Sequence, residues 1–427
     1  MRRFRVTDPD FEKAFVAFIE ERRETPDDVD AVVRDVIAAV RAEGLAALLR
    51  FARDFDGVAL DEQSIRVSQA EIDAGAQACP AQVREAIAFA AERIRSYHAR
   101  QRPADLRFTD EAGVELGWRW TPLDAVGIYV PGGRAAYPST VLMNAVPAAV
   151  AGVGRIAMVT PPGRLQPAVL AAAKAAGVSE IWRVGGAQAV AALAYGCGPI
   201  PPVDKIVGPG NAFVTAAKRR VYGAVGIDAL AGPSEIVVVA DQANRPDWIA
   251  ADLLSQAEHD PAAQAILITD DEAFAGRVEA AVAEQLTTLS TGDAASASWR
   301  DHGAVVIAPL DEAPRLVDQI APEHVEFALE QPERLADQVR HAGAIFLGRH
   351  APEAIGDYVA GSNHVLPTSR AARFSSGLSL YDFLKRTSIV KCDEASFARL
   401  APATVALAEA EGLPAHARSA AIRMGQG

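Results

Sequence analysis

From Gly127 onward the sequence alternates short β-branched runs with alanine-rich stretches of helical spacing, and few folds accept that alternation. A strand, a crossover helix and a second strand build a parallel sheet, because the helix carries the chain back across one face. One set of runs covers 127–130, 155–160, 180–184 and 204–207. A second covers 235–239, 265–269, 304–307, 324–329 and 344–347. The pattern implies an α/β protein with two parallel-sheet units that meet near Ala231-Gly232-Pro233. At 427 residues, half of them hydrophobic, the chain is long enough for two or more cores.

The flanks follow other periods. Residues 11–21, 29–54 and 80–98 carry apolar side chains at three-and-four spacing, with Gly44 a weak point in the second stretch. His98 is expected at the surface. Residues 114–120 alternate in strand fashion. After Lys391 helical spacing returns over 398–410 and 415–423, interrupted by Gly412 and Pro414. No signal peptide is expected, since the arginines near Met1 lead into Asp8-Pro9-Asp10 and not into an apolar segment. The longest apolar run, 145–153, is broken by Pro147 and is too short to span a bilayer. A net charge of -13 argues against nucleic acid or an anionic membrane as partner. The three cysteines, Cys79, Cys197 and Cys392, lie far apart, which argues against a disulfide framework or a thiolate zinc site and suits a cytoplasmic protein.

Several stretches carry chemistry. Pro131-Gly132-Gly133, Gly185-Gly186-Ala187-Gln188 and Gly208-Pro209-Gly210-Asn211 each follow an expected strand, and the last two open helices. Glycine admits a ligand close to the backbone, and free N–H groups at a helix start attract phosphate. Ordinary strand-to-helix turns use the same residues. Gly152-Val153-Gly154-Arg155-Ile156-Ala157 fits G-x-G-x-x-A by letter, but it precedes a strand where the dinucleotide fingerprint follows one. Gln256 and His259 share one face of a helix expected to start near Pro246, so a carboxamide and an imidazole could hold a divalent metal there. The same pair also suits a polar helix end. Glu323-His324 offers an acid and a base before a strand, although strict alternation would send the two side chains to opposite faces. Asp357 near a helix end and His364 in a polar turn could complete a metal shell or meet a substrate, or could serve as cap and turn. Glu411 and His416 lie beyond both sheets, so a role for them requires the tail to fold back or reach another subunit. His302, His341 and His350 are assigned to the surface.

Taken together these stretches resemble histidinol dehydrogenase. The matching segments are Tyr129-Val130-Pro131-Gly132-Gly133, Val184 to Ala189, Lys205 to Thr215, Ala231 to Glu235, Asp252 to His259, Ala321 to Glu326, Gly356 to Thr368 and Glu411 to His416. The resemblance runs from about residue 25 to the end. It implies a homodimer of intertwined protomers with two incomplete Rossmann-like units, N-terminal helices and a swapped, helical C-terminal tail. The expected division is 1–120 for the N-terminal region, packing with the second unit; 121–234 for the first unit, on the NAD side; 235–380 for the second unit, with the metal and acid/base residues; and 381–427 for the tail.

The resemblance further implies that Gln256, His259, Asp357 and the partner subunit's His416 bind one zinc ion per subunit. Glu323 and His324 form the acid/base pair, and Tyr129, Gln188 and Asn211 contact NAD. Ser234, His364 and Glu411 contact substrate, joined by the metal ligands and His324. The implied reaction is a four-electron oxidation of L-histidinol to L-histidine through a bound aldehyde, the last steps of histidine biosynthesis. Three other readings compete. A related NAD-dependent dehydrogenase of another small amino or sulfonated alcohol would alter the substrate contacts. A zinc metallohydrolase would work without NAD. A non-catalytic metal- or nucleotide-binding protein would have no use for Glu323-His324.

Overall fold

The computed structural model describes residues 1–21, 27–132, 137–163 and 165–425; residue 25, where the resemblance begins, and Gly133 of the first glycine-rich turn lie outside them. The chain opens with strand β1 (Arg2–Arg5) and helices α1 (Phe11–Ile19), α2 (Asp27–Glu43), α3 (Leu45–Asp56), α4 (Gln69–Ala78) and α5 (Ala81–Ala99). The expected single helix over 29–54 is two, parted by Gly44 at φ 61°, a backbone setting that favours glycine. Helix α4, not foreseen, starts at a capping box in which Ser68 and Glu71 satisfy each other's backbone N–H.

Strands β2 (Leu106–Thr109) and β3 (Glu115–Pro122) pair antiparallel. The first α/β unit then runs β4 (Ala125–Tyr129), α6 (Pro138–Ala151), β5 (Arg155–Thr160), α7 (Pro167–Ala176), β6 (Glu180–Arg183), α8 (Gly186–Tyr195), β7 (Lys205–Val207), α9 (Ala212–Val221) and β8 (Gly226–Ile227). Its strands are parallel, in the order β6-β5-β4-β7-β8. Helices cover both faces, as a parallel sheet requires. On one side Ile72, Ile87 and Ile94 join Val141, Met143 and Val146 over the sheet. On the other, Val33, Leu48 and Phe51 join Val190, Leu193 and Val214.

The second unit comprises β9 (Glu235–Ala240), α10 (Pro246–Ala257), β10 (Gln264–Thr269), α11 (Glu272–Leu286), α12 (Gly292–His302), β11 (Ala304–Ile307), α13 (Ala313–Ile320), β12 (His324–Ala328), α14 (Glu333–Ala336), β13 (Ala344–Leu347) and α15 (Glu353–Tyr358). Its parallel sheet is ordered β1-β11-β10-β9-β12-β13. Strand β1 thus comes from the far N-terminus and sits at an edge, with Phe4 packed among Phe11, Phe15 and Phe18. The N-terminal region therefore divides its packing: β1 and α1 join the second unit, whereas α2 to α5 pack on the first.

The tail starts with β14 (Leu384–Lys391), antiparallel to β3, and continues with α16 (Glu394–Ala410) and α17 (Pro414–Ala421). These helices pack on each other and leave Leu400, Leu407, Leu413 and Ile422 exposed. His98 corrects an expectation, for it is fully buried. It continues the stripe Ile87, Ala90, Ala91 and Ile94 on the inward face of α5.

Candidate functional site

Two strand edges carry the candidate residues. In the first sheet the chain moves outward from β4 to β6 and returns on the other side as β7. Where such a reversal occurs, the loops at the C-terminal ends of the two central strands part and leave a crevice for ligands. Tyr129 ends β4 there, 3% exposed, and its hydroxyl accepts the Gly186 N–H at 3.0 Å. Burial pushes that hydroxyl up to about 12. Gln188 is buried on the first turn of α8, so close to Gly186 that a Cβ on the glycine would lie 2.6 Å from Gln188 Oε1. Asn211 caps α9, its Oδ1 accepting the N–H groups of Phe213 at 3.1 Å and Val214 at 3.2 Å. The cap leaves the amide nitrogen for other partners. The decoy glycines lie as expected ahead of β5, with Gly152 closing α6 at φ 95°.

The other edge is the N-terminal end of β9, β12 and β13 in the second sheet. Residues 228–234 connect the two edges. Along that connector Thr215 Oγ1 donates to Ala231 O at 3.2 Å, and Gly232 N–H donates to Thr368 Oγ1 at 2.6 Å. Ser234 is hydrogen-bonded to Glu323, whose carboxylate also accepts the Glu235 N–H at 3.1 Å. Burial pushes the Glu323 carboxyl up to about 7.

Glu323 and His324 lie at one place. Glu323 lies ahead of β12, and Ala321 at φ 50° bends the chain before it, so strand alternation does not separate them. His324 Nδ1 lies 3.8 Å from Glu323 and 3.1 Å from Glu235 O. A proton on Nδ1 suits that carbonyl, so Nε2 is the nitrogen left to gain or lose a proton. Nε2 is buried, has no hydrogen-bond partner and lies 3.6 Å from Asp357 Oδ1. Burial alone would lower the imidazole pKa, but Glu353, Glu323 and Asp357 together hold it well above its ordinary value.

Gln256 is fully buried on α10. With its amide nitrogen turned toward Glu353 it donates to that carboxylate at 2.9 Å. His259 departs from expectation: α10 ends at Ala257, and His259 is exposed just past the Glu258 cap. Asp260-Pro261 follows, and a proline disfavours helix in the residue before it. His259 still contributes to the field that lowers the Asp357 and His364 pKa values. For Asp357, burial acts upward, and His324, His364 and His259 outweigh it. His364 Nδ1 lies 3.0 Å from Asp357 O, and burial lowers its imidazole pKa. Glu411, at the end of α16, and His416, on the first turn of α17, are exposed and do not join the cluster within one chain.

Glu353 is the residue that sequence reasoning missed. It is 2% exposed on the first turn of α15, 3.6 Å from His324 Nδ1, and burial pushes it up to about 8. Its four-residue spacing from Asp357 was the available signal, since that places both carboxylates on one helix face. Behind it, Glu326 accepts the Glu353 N–H and is hydrogen-bonded to Asp252.

Ligand atoms of His324, Glu353 and Asp357 all lie within 4.8 Å of one another. The carboxylates of Glu353 and Asp357, gathered beside this imidazole, suit a divalent cation whose charge would offset theirs.

The family model described as histidinol dehydrogenase matches residues 19–424. Similar relatives include a histidinol dehydrogenase from Caulobacter vibrioides, 78% identical over 427 residues and covering all of both chains. Another, from Mesorhizobium japonicum, is 60% identical over 423 residues, 98% of each chain. The crystal structure of a histidinol dehydrogenase from Elizabethkingia anophelis superposes with a TM-score of 0.94 at 35% identity, covering 100% of this chain and 98% of that one.

Proposed function

The chain belongs to the histidinol dehydrogenase family, and from that premise we propose that it oxidises L-histidinol to L-histidine in two successive two-electron steps, the close of histidine biosynthesis in the cytoplasm. The observation that carries the reading is His324: one nitrogen is anchored to Glu235 O, and the other is buried and unpartnered among Glu323, Glu353 and Asp357.

In this reading the first unit, 121–234, serves NAD through Tyr129, Gln188 and Asn211. The second, 235–380, holds substrate and zinc through Ser234 at its border, Gln256, His259, Asp357 and His364. Glu411 and His416 of the tail, 381–427, serve the site of a second copy. The exposed leucines and Ile422 of α16 and α17 support a tail that docks elsewhere. Glu353 belongs beside the zinc ligands, its carboxylate orienting the Gln256 amide so that the amide oxygen is free for the cation.

When bound, NAD accepts the electron pair of a C–H bond in each step, and zinc offers coordination places to the imidazole and amine of the substrate. The alcohol gives up hydride readily only as its oxygen loses its proton, and His324 Nε2 takes that proton. The resulting aldehyde has no hydroxyl, so a water must add to it. Glu323, next to the same imidazole and held by Ser234 and the Glu235 N–H, removes the proton of that water. The gem-diol then repeats the first step and yields the carboxylate. The balance is one histidinol, two NAD+ and one water to one histidine, two NADH and two protons, counted for the neutral amino alcohol and amino acid.

The test is stoichiometric: NADH formed per L-histidinol consumed, followed by absorbance with the purified protein. Two is expected. A value of one would remove the aldehyde oxidation and with it the role of Glu323, and a value of zero would remove the dehydrogenase reading altogether.

A further inference from the structure

The turn after β7 is held by side chains from outside it. Gly208 stands at φ 109°, and a Cβ there would lie 2.3 Å from Tyr129 O. The loop therefore presses its backbone against the end of β4. Two charged side chains hold it in that position. Asp228 Oδ2 accepts the Gly208 N–H at 2.7 Å, and Lys218 Nζ donates to Gly208 O at 3.0 Å. Lys218 and Asp228 also pair directly with each other, their side chains 3% and 5% exposed. The four groups close a ring in which the peptides on either side of the Gly208 Cα are both fixed. Lys218 comes from α9, which Asn211 caps, and Asp228 follows β8 at the start of the connector to the second sheet.

Removing two charges from water is costly, and packing alone would fill this space with apolar side chains at no loss of stability. A charged pair is useful where a backbone must be held in one particular setting. The geometry points to Lys218 and Asp228 as positioning residues for the dinucleotide: the clamp sets the Gly208-Pro209-Gly210-Asn211 loop at the height where its backbone and the Asn211 amide meet the cofactor. This rests on the reading of that edge as the NAD site. Neither residue touches the reacting atoms. Its consequence is specific, because loss of the clamp weakens NAD and leaves the histidinol pocket as it was.

The experiment uses the full-length protein and compares Lys218→Met, Asp228→Asn and the double variant, which removes both charges together and leaves no lone buried ion. The KM for NAD is expected to rise about tenfold or more in the single variants, with kcat within about threefold and the KM for L-histidinol unchanged. A further variant, Asp228→Ala, should lose more than Asp228→Asn, which keeps an acceptor for the Gly208 N–H. NADH fluorescence titration reads the same loss without turnover. If the clamp variants bind NADH like the parent protein, or if both KM values and kcat shift together with the melting temperature, the inference falls. Gln188→Ala serves as the control for the site: if it weakens NADH and the clamp variants do not, only the clamp is wrong, and if it does not weaken NADH, the placement of NAD at this edge is wrong.

Discussion

Inside the acid cluster His324 has one nitrogen hydrogen-bonded to Glu235 O and the other without a partner. Its neighbours raise its pKa, so the free ring tends to keep a second proton, whereas a base needs the lone pair. A cation held at Asp357, with Glu353 beside it, would offset the carboxylates and return the imidazole toward neutrality. Replacing His324 by Asn should therefore lower turnover about a hundredfold or more while the cation stays bound, as measured by steady-state kinetics beside metal analysis; unchanged turnover would remove His324 from the base role. His98 illustrates the opposite case. Burial lowers its pKa from 6.5 to about 4. The unfolded chain takes up that proton near pH 6.5 and the folded chain only near 4, so acid favours unfolding across that window. The wild type should lose roughly 2–3 kcal/mol between those limits that His98→Gln does not lose, read from urea midpoints at several pH values. Parallel pH profiles for the two proteins would contradict this. His98 was misjudged from sequence because one histidine at the end of a helix looks like a surface residue, although the stripe it continues, Ile87 to Ile94, was readable.

At the scale of elements, the buried parallel strands were legible, and so was the apolar edge strand β13, whereas the polar edge strands β1 and β14 were not. The runs at 155–160 and 304–307 coincide with β5 and β11, because a strand buried under helices must be apolar over its whole length. Strand β1 escaped notice since it carries arginine at positions 2, 3 and 5 and only Phe4 faces inward. Strand β14 is exposed or half-exposed throughout and finds its partner β3 far away in the sequence. The metal side followed the same logic: Gln256 and Asp357 were recognised by motif, while Glu353 became part of the site only through the way α15 packs under β12. Strand β1 allows a direct check. Phe4→Ala would leave a hole among Phe11, Phe15 and Phe18 and should cost about 3 kcal/mol, seen as a lower thermal midpoint, with the first unit's binding of NADH unaffected. An unchanged midpoint would show β1 to be dispensable.

At the scale of the molecule, the chain as described leaves Glu411 and His416 in solvent, away from the residues they are proposed to join. If the tail completes a second copy's site, mixing a His416→Ala variant with an Asp357→Asn variant should restore part of the activity that each lacks, because a mixed dimer then contains one intact site. No recovery on mixing would argue for sites built within one chain. Chelation should abolish turnover and added zinc should restore it; activity that survives complete metal removal would exclude zinc from the reaction.

The connector 228–234 joins the C-terminal edge of one sheet to the N-terminal edge of the other, so the proposed lodgings for cofactor and substrate belong to separately packed layers. On the proposed function, a spent dinucleotide would be traded for a fresh one at its own layer while the half-oxidised intermediate stays where it is. An enzyme that must perform two oxidations before letting go of its carbon skeleton gains from that division, since renewal of the oxidant and retention of the aldehyde make no competing demands on the same walls.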